Sequence, residues 1–295
     1  MIAFLSEYGM FLAKVVTLVV AILFVIGGIA ATASRGRNKA GQDGELRVRH
    51  LNEEFDDLKD SLEAEILPEA QRKKAHKAKR KQEKLEAKQK KKAGTEDKVE
   101  PRLFVLDFDG DVQASAVDHL RREISAVLQV ATQNDEVLVR LQSPGGLVHS
   151  YGLAASQLRR IRNSGIKLTV TVDEVAASGG YMMACIADRI VAAPFAVIGS
   201  IGVVAQIPNF HRLLKKNDID VELMTAGEYK RTMTMLGENT EKGRAKFQEE
   251  LEETHQLFKT FVRDNRRGLD LDKVATGEHW FGSQAKELGL SLIHI

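Results

Sequence analysis

Three short stretches of this sequence hold residue types that could perform acyl-transfer chemistry. Ser143-Pro144-Gly145-Gly146 follows a predicted strand and precedes a predicted helix, so two glycines sit where the backbone must turn tightly and present N–H groups. Such amides could form an oxyanion hole, and a plain strand-to-helix turn would use the same residues. Ser178 stands in Ala176-Ala177-Ser178-Gly179-Gly180-Tyr181, among small neighbours that let a substrate backbone come close. That setting suits a nucleophile, and it equally suits a helix N-cap. The third stretch is Gly227-Glu228-Tyr229-Lys230-Arg231. A seryl hydroxyl needs a base, yet no histidine falls in an obvious partner motif: His149 is on a predicted helix face, while His211 and His255 sit in charged amphipathic helices. Lysine can serve only when desolvated, because lowering its pKa from ~10.4 to ~7–8 takes roughly 4 kcal/mol in favour of the neutral amine. Lone lysines are ordinarily solvated.

Other chemistries find no support. The eight histidines show no paired spacing, HExxH is absent, and Cys185 is the single cysteine, so no metal site is expected. Neither a phosphate loop ending in Gly-Lys-Ser/Thr nor a strand followed by GxGxxG occurs in the folded part, so no bound nucleotide is expected. A single cysteine also excludes a disulfide framework, and Cys185, among Met182, Met183 and Ile186, reads as a small core residue.

The elements that must carry these residues come from the second two-thirds of a chain of 295 residues. Residues 103–108 read as a buried strand, 116–130 as an amphipathic helix, and Glu136–Gln142 as another strand. A helix over Val148–Asn163, a strand at Lys167–Val172, a short helix from Ser178, a strand near 189–193, an apolar segment at 197–204 and a strand at 221–225 continue the alternation. This predicts an α/β domain with largely parallel strands buried on both faces. A long charged helix over 241–266 closes the order, with Leu251, Leu257, Phe258 and Phe261 as its buried stripe. Residues 190–207 form a second long apolar run, but Pro194, Gly199, Ser200 and Gly202 interrupt it, and it is assigned to the domain rather than to a membrane.

The N-terminal third has a different texture. Residues 15–33 carry no charge and as a helix reach ~28 Å, close to the ~30 Å hydrocarbon core of a bilayer. The run is too long for the h-region of a cleaved signal peptide, and Arg35, Arg37 and Lys39 follow it, so a retained anchor is expected, with the positive-inside rule placing the C-terminal part on the cytoplasmic side. In Leu51–Ile66 the apolar residues Leu51, Phe55, Leu58, Leu62 and Ile66 recur at spacings of three and four, marking an amphipathic helix. Residues 71–92 hold 12 Lys+Arg against Glu83 and Glu86. No aromatic residue interleaves them to stack bases, so a solvated linker or helix is expected, then attraction to anionic lipid, with nucleic acid set aside. The whole-chain net charge of +2 averages over these segments and says nothing about partners.

SPGG, the block from Val172 to Ala192 containing ASGGY, then Gly199-Ser200-Ile201-Gly202-Val203 and GEYK, in that order, resemble the signal peptide peptidase A (protease IV) family of serine–lysine proteases. The anchor and basic linker ahead of a single catalytic domain resemble that family's membrane-anchored members. The resemblance covers about residues 100–290. It implies the crotonase/Clp-protease-like fold, a superhelix of ββα units, and divides the chain into an N-terminal segment (1–14), an anchor (15–33), an amphipathic helix and basic linker (34–100) and a peptidase domain (101–295). It also implies Ser178 as nucleophile, Lys230 as general base, and Gly146 and Gly179 as donors to the oxyanion. The expectation is therefore a serine endopeptidase, single-pass in a bacterial inner membrane, homo-oligomeric, without cofactor, acting on peptides, unfolded segments or signal-peptide remnants. Family members of the signal-peptide-peptidase branch work on the outer side of that membrane, opposite to the charge rule. Two rival readings remain: an acyl-CoA hydratase or isomerase of the same fold, which would need acidic catalytic residues, and a catalytically idle membrane scaffold. The final residues, Leu290 to Ile295, depart from the family's usual continuation, so no pocket wall or subunit contact is carried over there.

Overall fold

The computed structural model describes residues 14–18, 46–92, 100–291 and 293–294. Most of the apolar run 15–33 lies outside them; residues 14–18 are helical, and among the described residues no helix is long and apolar enough to cross a membrane. The chain divides into two units, one ending at Lys79 and one beginning at Arg80.

In the first unit, α1 (Leu51–Ile66) has the predicted bounds, and Leu67 and Pro68 separate it from α2 (Glu69–Lys92), within which the division falls. Proline ends the first helix because the residue before it is pushed out of the α region. Lys79 reaches back to Asp56 at 3.3 Å. The apolar stripe of α1 stays exposed, with Phe55, Leu58 and Leu62 each more than half accessible.

The second unit is the α/β domain. A five-stranded sheet is built from β1 (Leu103–Asp109), β2 (Glu136–Gln142), β3 (Lys167–Val172), β5 (Arg189–Ala192) and β8 (Ile293–His294), all parallel and in the order β1-β2-β3-β5-β8. A smaller sheet holds β4 (Val175–Ala177) and β6 (Val197–Gly199) in parallel, with β7 (His279–Phe281) antiparallel on β6. Thus β3 passes directly into β4, and β5 into β6, each pair contributing one strand to each sheet.

The helices are α3 (Val117–Val130), α4 (Val148–Asn163), α5 (Gly179–Ala184), α6 (His211–Lys216), α7 (Glu241–Asn265), α8 (Leu271–Val274) and α9 (Gly282–Glu287). α3 buries Leu120, Ile124 and Val127, and α4 buries Ala154, Ala155, Leu158 and Ile161, the three-and-four spacing expected of a helix covering a sheet. Each fully buried Leu or Ile contributes about 1.5–3 kcal/mol of transfer free energy. Asp135 ties the sheet's open end together: buried, it accepts from Arg102 Nη2 at 2.9 Å, the Arg102 amide at 2.8 Å, and the Thr132 amide and hydroxyl at 2.7 and 2.9 Å. Its carboxyl is consequently held well below the usual range, the Arg102 side-chain hydrogen bond being the largest cause.

Several expectations are corrected. β3 is largely buried on both faces, but β1 and β2 alternate, and their open face carries the exposed pair Asp107–Arg140 at 2.5 Å. Residues 221–225 form no strand: Val221 and Leu223 are exposed and no neighbouring edge pairs with them, and an extended segment without a ladder is not a strand. On α7 the buried residues are Phe258 and Val262, with Phe261 packed against the core, whereas Leu257 points to solvent. The apolar run 190–207 does enter the core through Ile190, Ala192, Ala196, Ile198 and Ile201, but Phe195 and Val204 are exposed.

Candidate active site

Ser178 stands between β4 and α5 with φ 52° and ψ −116°, a left-handed conformation that costs a non-glycine residue about 1–3 kcal/mol. Such a turn thrusts the side chain out of the strand-to-helix path, the geometry also found in the nucleophile elbow of α/β-hydrolases. Its amide donates to the Gly199 carbonyl at 2.8 Å and its carbonyl accepts from Met182 at 2.9 Å. Although Ser178 occupies the N-cap position, its hydroxyl makes no capping bond, which removes the alternative use left open by the sequence. Gly179 opens α5, where the first amides have no intrahelical acceptor.

The SPGG loop lies against this turn. Ser143 is fully buried and pairs with the smaller sheet: its amide donates to Val175 O at 2.8 Å and its carbonyl accepts from Ala177 at 3.0 Å. Gly145 has φ 91°, and a Cβ there would lie 2.7 Å from the Gly179 nitrogen and 2.8 Å from Ser178 Cβ, so only glycine fits. A Cβ on Gly146 would strike the Val112 carbonyl. Among the described residues the Gly146 amide donates to nothing. Gly146, Ser178 and Gly179 line one narrow cavity of about 20 Å³ with Val148, Met182, Gly202, Val203, Thr254 and Phe258. A larger depression of about 540 Å³ along α7 is lined by Glu249, Glu252, Glu253, Gln256, Leu257 and Thr260, and none of the candidate site residues read from the sequence lies in it.

Lys230 is placed elsewhere. It is exposed, its amide donates to Gly227 O at 3.2 Å, and it does not line the Ser178 cavity. The segment around it is pinned to the start of α7, where Glu228 pairs with Lys242 and the Tyr229 ring lies 5.6 and 5.8 Å from the ammonium groups of Lys242 and Lys246. Glu228 is held below the usual carboxylate range and Lys242 above the usual lysine range, each chiefly by the hydrogen bond to the other. Within one chain one cavity therefore joins Ser178, Gly146 and Gly179, and the exposed Lys230 is not among the residues lining it. Thr254 and Phe258, which wall the cavity, and Tyr151, which lies beneath it, were invisible as site residues: on their helices they carry the spacing of ordinary core positions. Cys185 is buried and its thiol is pushed up to about 12 by burial, in keeping with an inert core residue. Among the described residues no cluster could hold a metal ion.

β4 thus leads into a strained serine and β2 into the glycine-rich loop beside it, an arrangement that suits acyl transfer. Residues 3–158 match the N-terminal region of peptidase family S49 and residues 160–292 match peptidase family S49 itself; the chain belongs to that family. Within it the chain is of the SohB type. It is 58% identical to the Probable protease SohB of Haemophilus influenzae over 97% of this chain and 82% of that protein, and 48% identical to that of Buchnera aphidicola from Schlechtendalia chinensis over 96% and 94%. Among solved structures it is similar to a mutant of the 1510-N membrane-bound stomatin-specific protease in complex with a substrate peptide, at 16% identity and a TM-score of 0.43, covering 67% of this chain and 76% of that one.

Proposed function

We propose that this protease is a membrane-anchored serine endopeptidase whose nucleophile is Ser178 and whose general base is Lys230. The reading rests above all on the strained turn at Ser178, whose hydroxyl makes no capping bond and which lines one cavity with Gly146 and Gly179. Neutral Lys230 takes the hydroxyl proton as Ser178 Oγ attacks the scissile carbonyl; the Gly146 and Gly179 amides bind the oxyanion. Lys230 then protonates the leaving amine, and activates the water that hydrolyses the acyl-enzyme. Peptides and unfolded segments, signal-peptide remnants among them, are the substrates, the superhelical ββα arrangement of relatives is the fold, and a bacterial inner membrane, entered through residues 15–33, is the location.

The position of Lys230 is accounted for by homo-oligomerisation. Its segment carries exposed apolar residues, Leu223, Met224 at 86% accessible, Met235 and Leu236 among them, as a surface awaiting a partner does. Docking of that segment on a second copy would bury the lysine and supply the desolvation its role as base requires. Lipid contact follows from the anchor and from the basic α2.

The test is a mixture. Ser178→Ala and Lys230→Ala are each expected to abolish cleavage of a fluorogenic peptide by the detergent-purified full chain. If serine and lysine come from different copies, mixing the two inactive variants after dissociation and reassembly restores part of the wild-type rate. Full activity in Lys230→Ala would refute the assigned base.

A further inference from the structure

The proposed site needs two amides from distant parts of the chain, one after the nucleophile and one in the SPGG loop, held in a constant relation. One side chain touches the support of both. Tyr151 on α4 is fully buried, with its ring against Gly179: a Cβ on Gly179 would lie 2.7 Å from Tyr151 Cδ2 and 2.8 Å from Tyr151 Cβ. Phe108 backs the ring edge-on, with centroids 6.5 Å apart. The hydroxyl meets Asp111 O at 2.7 Å and Ser143 Oγ at 2.5 Å, and Ser143 Oγ meets the Gly145 amide at 3.1 Å.

Counting protons gives this chain a direction. The Asp111 carbonyl can only accept, so the one phenolic proton of Tyr151 goes there. The short contact to Ser143 must then be donated by the seryl hydroxyl, which leaves Ser143 Oγ free to accept from the Gly145 amide. The run is Gly145 N–H to Ser143 O–H to Tyr151 O–H to Asp111 C=O. It ends on the turn that also fixes the other side of the loop. The Asp111 carboxylate accepts from the amides of Gln113 and Ser115, the Val112 carbonyl accepts from Leu147 at 2.9 Å, and Gly146 packs on that same carbonyl.

We infer that Tyr151 is a positioning residue for the oxyanion hole, its ring supporting the Gly179 amide and its hydroxyl, through Ser143 and Asp111, setting the Gly146 amide. It touches no reacting atom. The inference rests on the proposed roles of Ser178, Gly146 and Gly179. Because oxyanion donors act in the transition state, loosening one lowers kcat while leaving ground-state binding largely alone.

The experiment measures kcat and KM for a fluorogenic peptide with the full chain and with Tyr151→Phe, Ser143→Ala and the double variant, beside Ser178→Ala. Tyr151→Phe keeps the ring under Gly179 and removes only the hydroxyl link. Expected is a fall in kcat of roughly 10- to 100-fold, with KM within about twofold, in each single variant, and no further fall in the double, since both cut one chain. An unchanged kcat in Tyr151→Phe overturns the inference. So does a loss that disappears when activity is scaled to the folded fraction measured by circular dichroism, and so do multiplicative losses in the double variant. If Ser178→Ala cleaves as the wild type does, it is the underlying assignment of the nucleophile that has failed.

Discussion

The Ser178 amide donates to the Gly199 carbonyl at 2.8 Å, and both residues have positive φ, 52° and 101°. The bond continues the ladder in which Ala177 pairs with Gly199 across β4 and β6, so two motifs twenty-one positions apart are fixed as one object. The strain at Ser178 is therefore imposed by sheet pairing. On the far side Gly199 has no room to change, because a Cβ would sit 2.9 Å from the Trp280 ring.

Glycine at Ser178 should relieve the strain that alanine preserves. Ser178→Gly is expected to be more stable than Ser178→Ala by about 1 kcal/mol, strain relief outweighing the added freedom of the unfolded chain. Urea denaturation of the two variants checks this; equal midpoints would mean that the turn stores no strain.

Gly146→Ala puts a methyl group into the Val112 carbonyl, a backbone atom with no rotamer to move aside. Peptide cleavage is expected to fall at least about 100-fold, as for the loss of an oxyanion donor. Destabilisation of about 1–3 kcal/mol should accompany it, read from the same denaturation curves.

Acid should weaken the domain in part through Asp135. Its folded-state pKa is depressed, so the carboxylate stabilises the fold above the unfolded value of ~3.9, and that contribution is lost as pH falls towards the depressed value. Asp135→Asn is expected to be less stable at pH 7 and to show a shallower decline in stability between pH 5 and pH 2, since its side chain does not titrate. Denaturation midpoints across that range decide the point.

Cys185 offers a probe of opening. With the thiol buried and pushed up to about 12, thiol reagents at pH 8 should leave the native protein unlabelled and modify it fully in urea. Rapid labelling of the native chain would place Cys185 outside the core.

The elements with strong periodicity were legible in the sequence. α1, α4, β2 and β3 have the bounds read from it, because three-and-four spacing or a short run of branched residues marks the type and extent of an element, even on α1, whose apolar stripe stays exposed. The short strands β4, β6 and β7 were not read as such: at three residues each they are defined by the edges they pair with. The segment 221–225 erred in the opposite direction, having strand-like residues without an edge.

For the site, the sequence alone determined the chemical types and their order: a serine among small residues, glycines in two turns, a lysine after them. These are local requirements, since only glycine tolerates the φ of Gly145 and only small residues admit a substrate backbone. Tertiary structure alone decided which of them meet. It turned Ser178 away from capping, joined it to Gly146 through the Ser143–Ala176 bridge, and set the Tyr151 ring against Gly179 with its hydroxyl on Ser143. It also left Lys230 on an exposed surface of the single chain. Proximity across thirty or fifty residues depends on sheet register and helix packing, which no local pattern encodes.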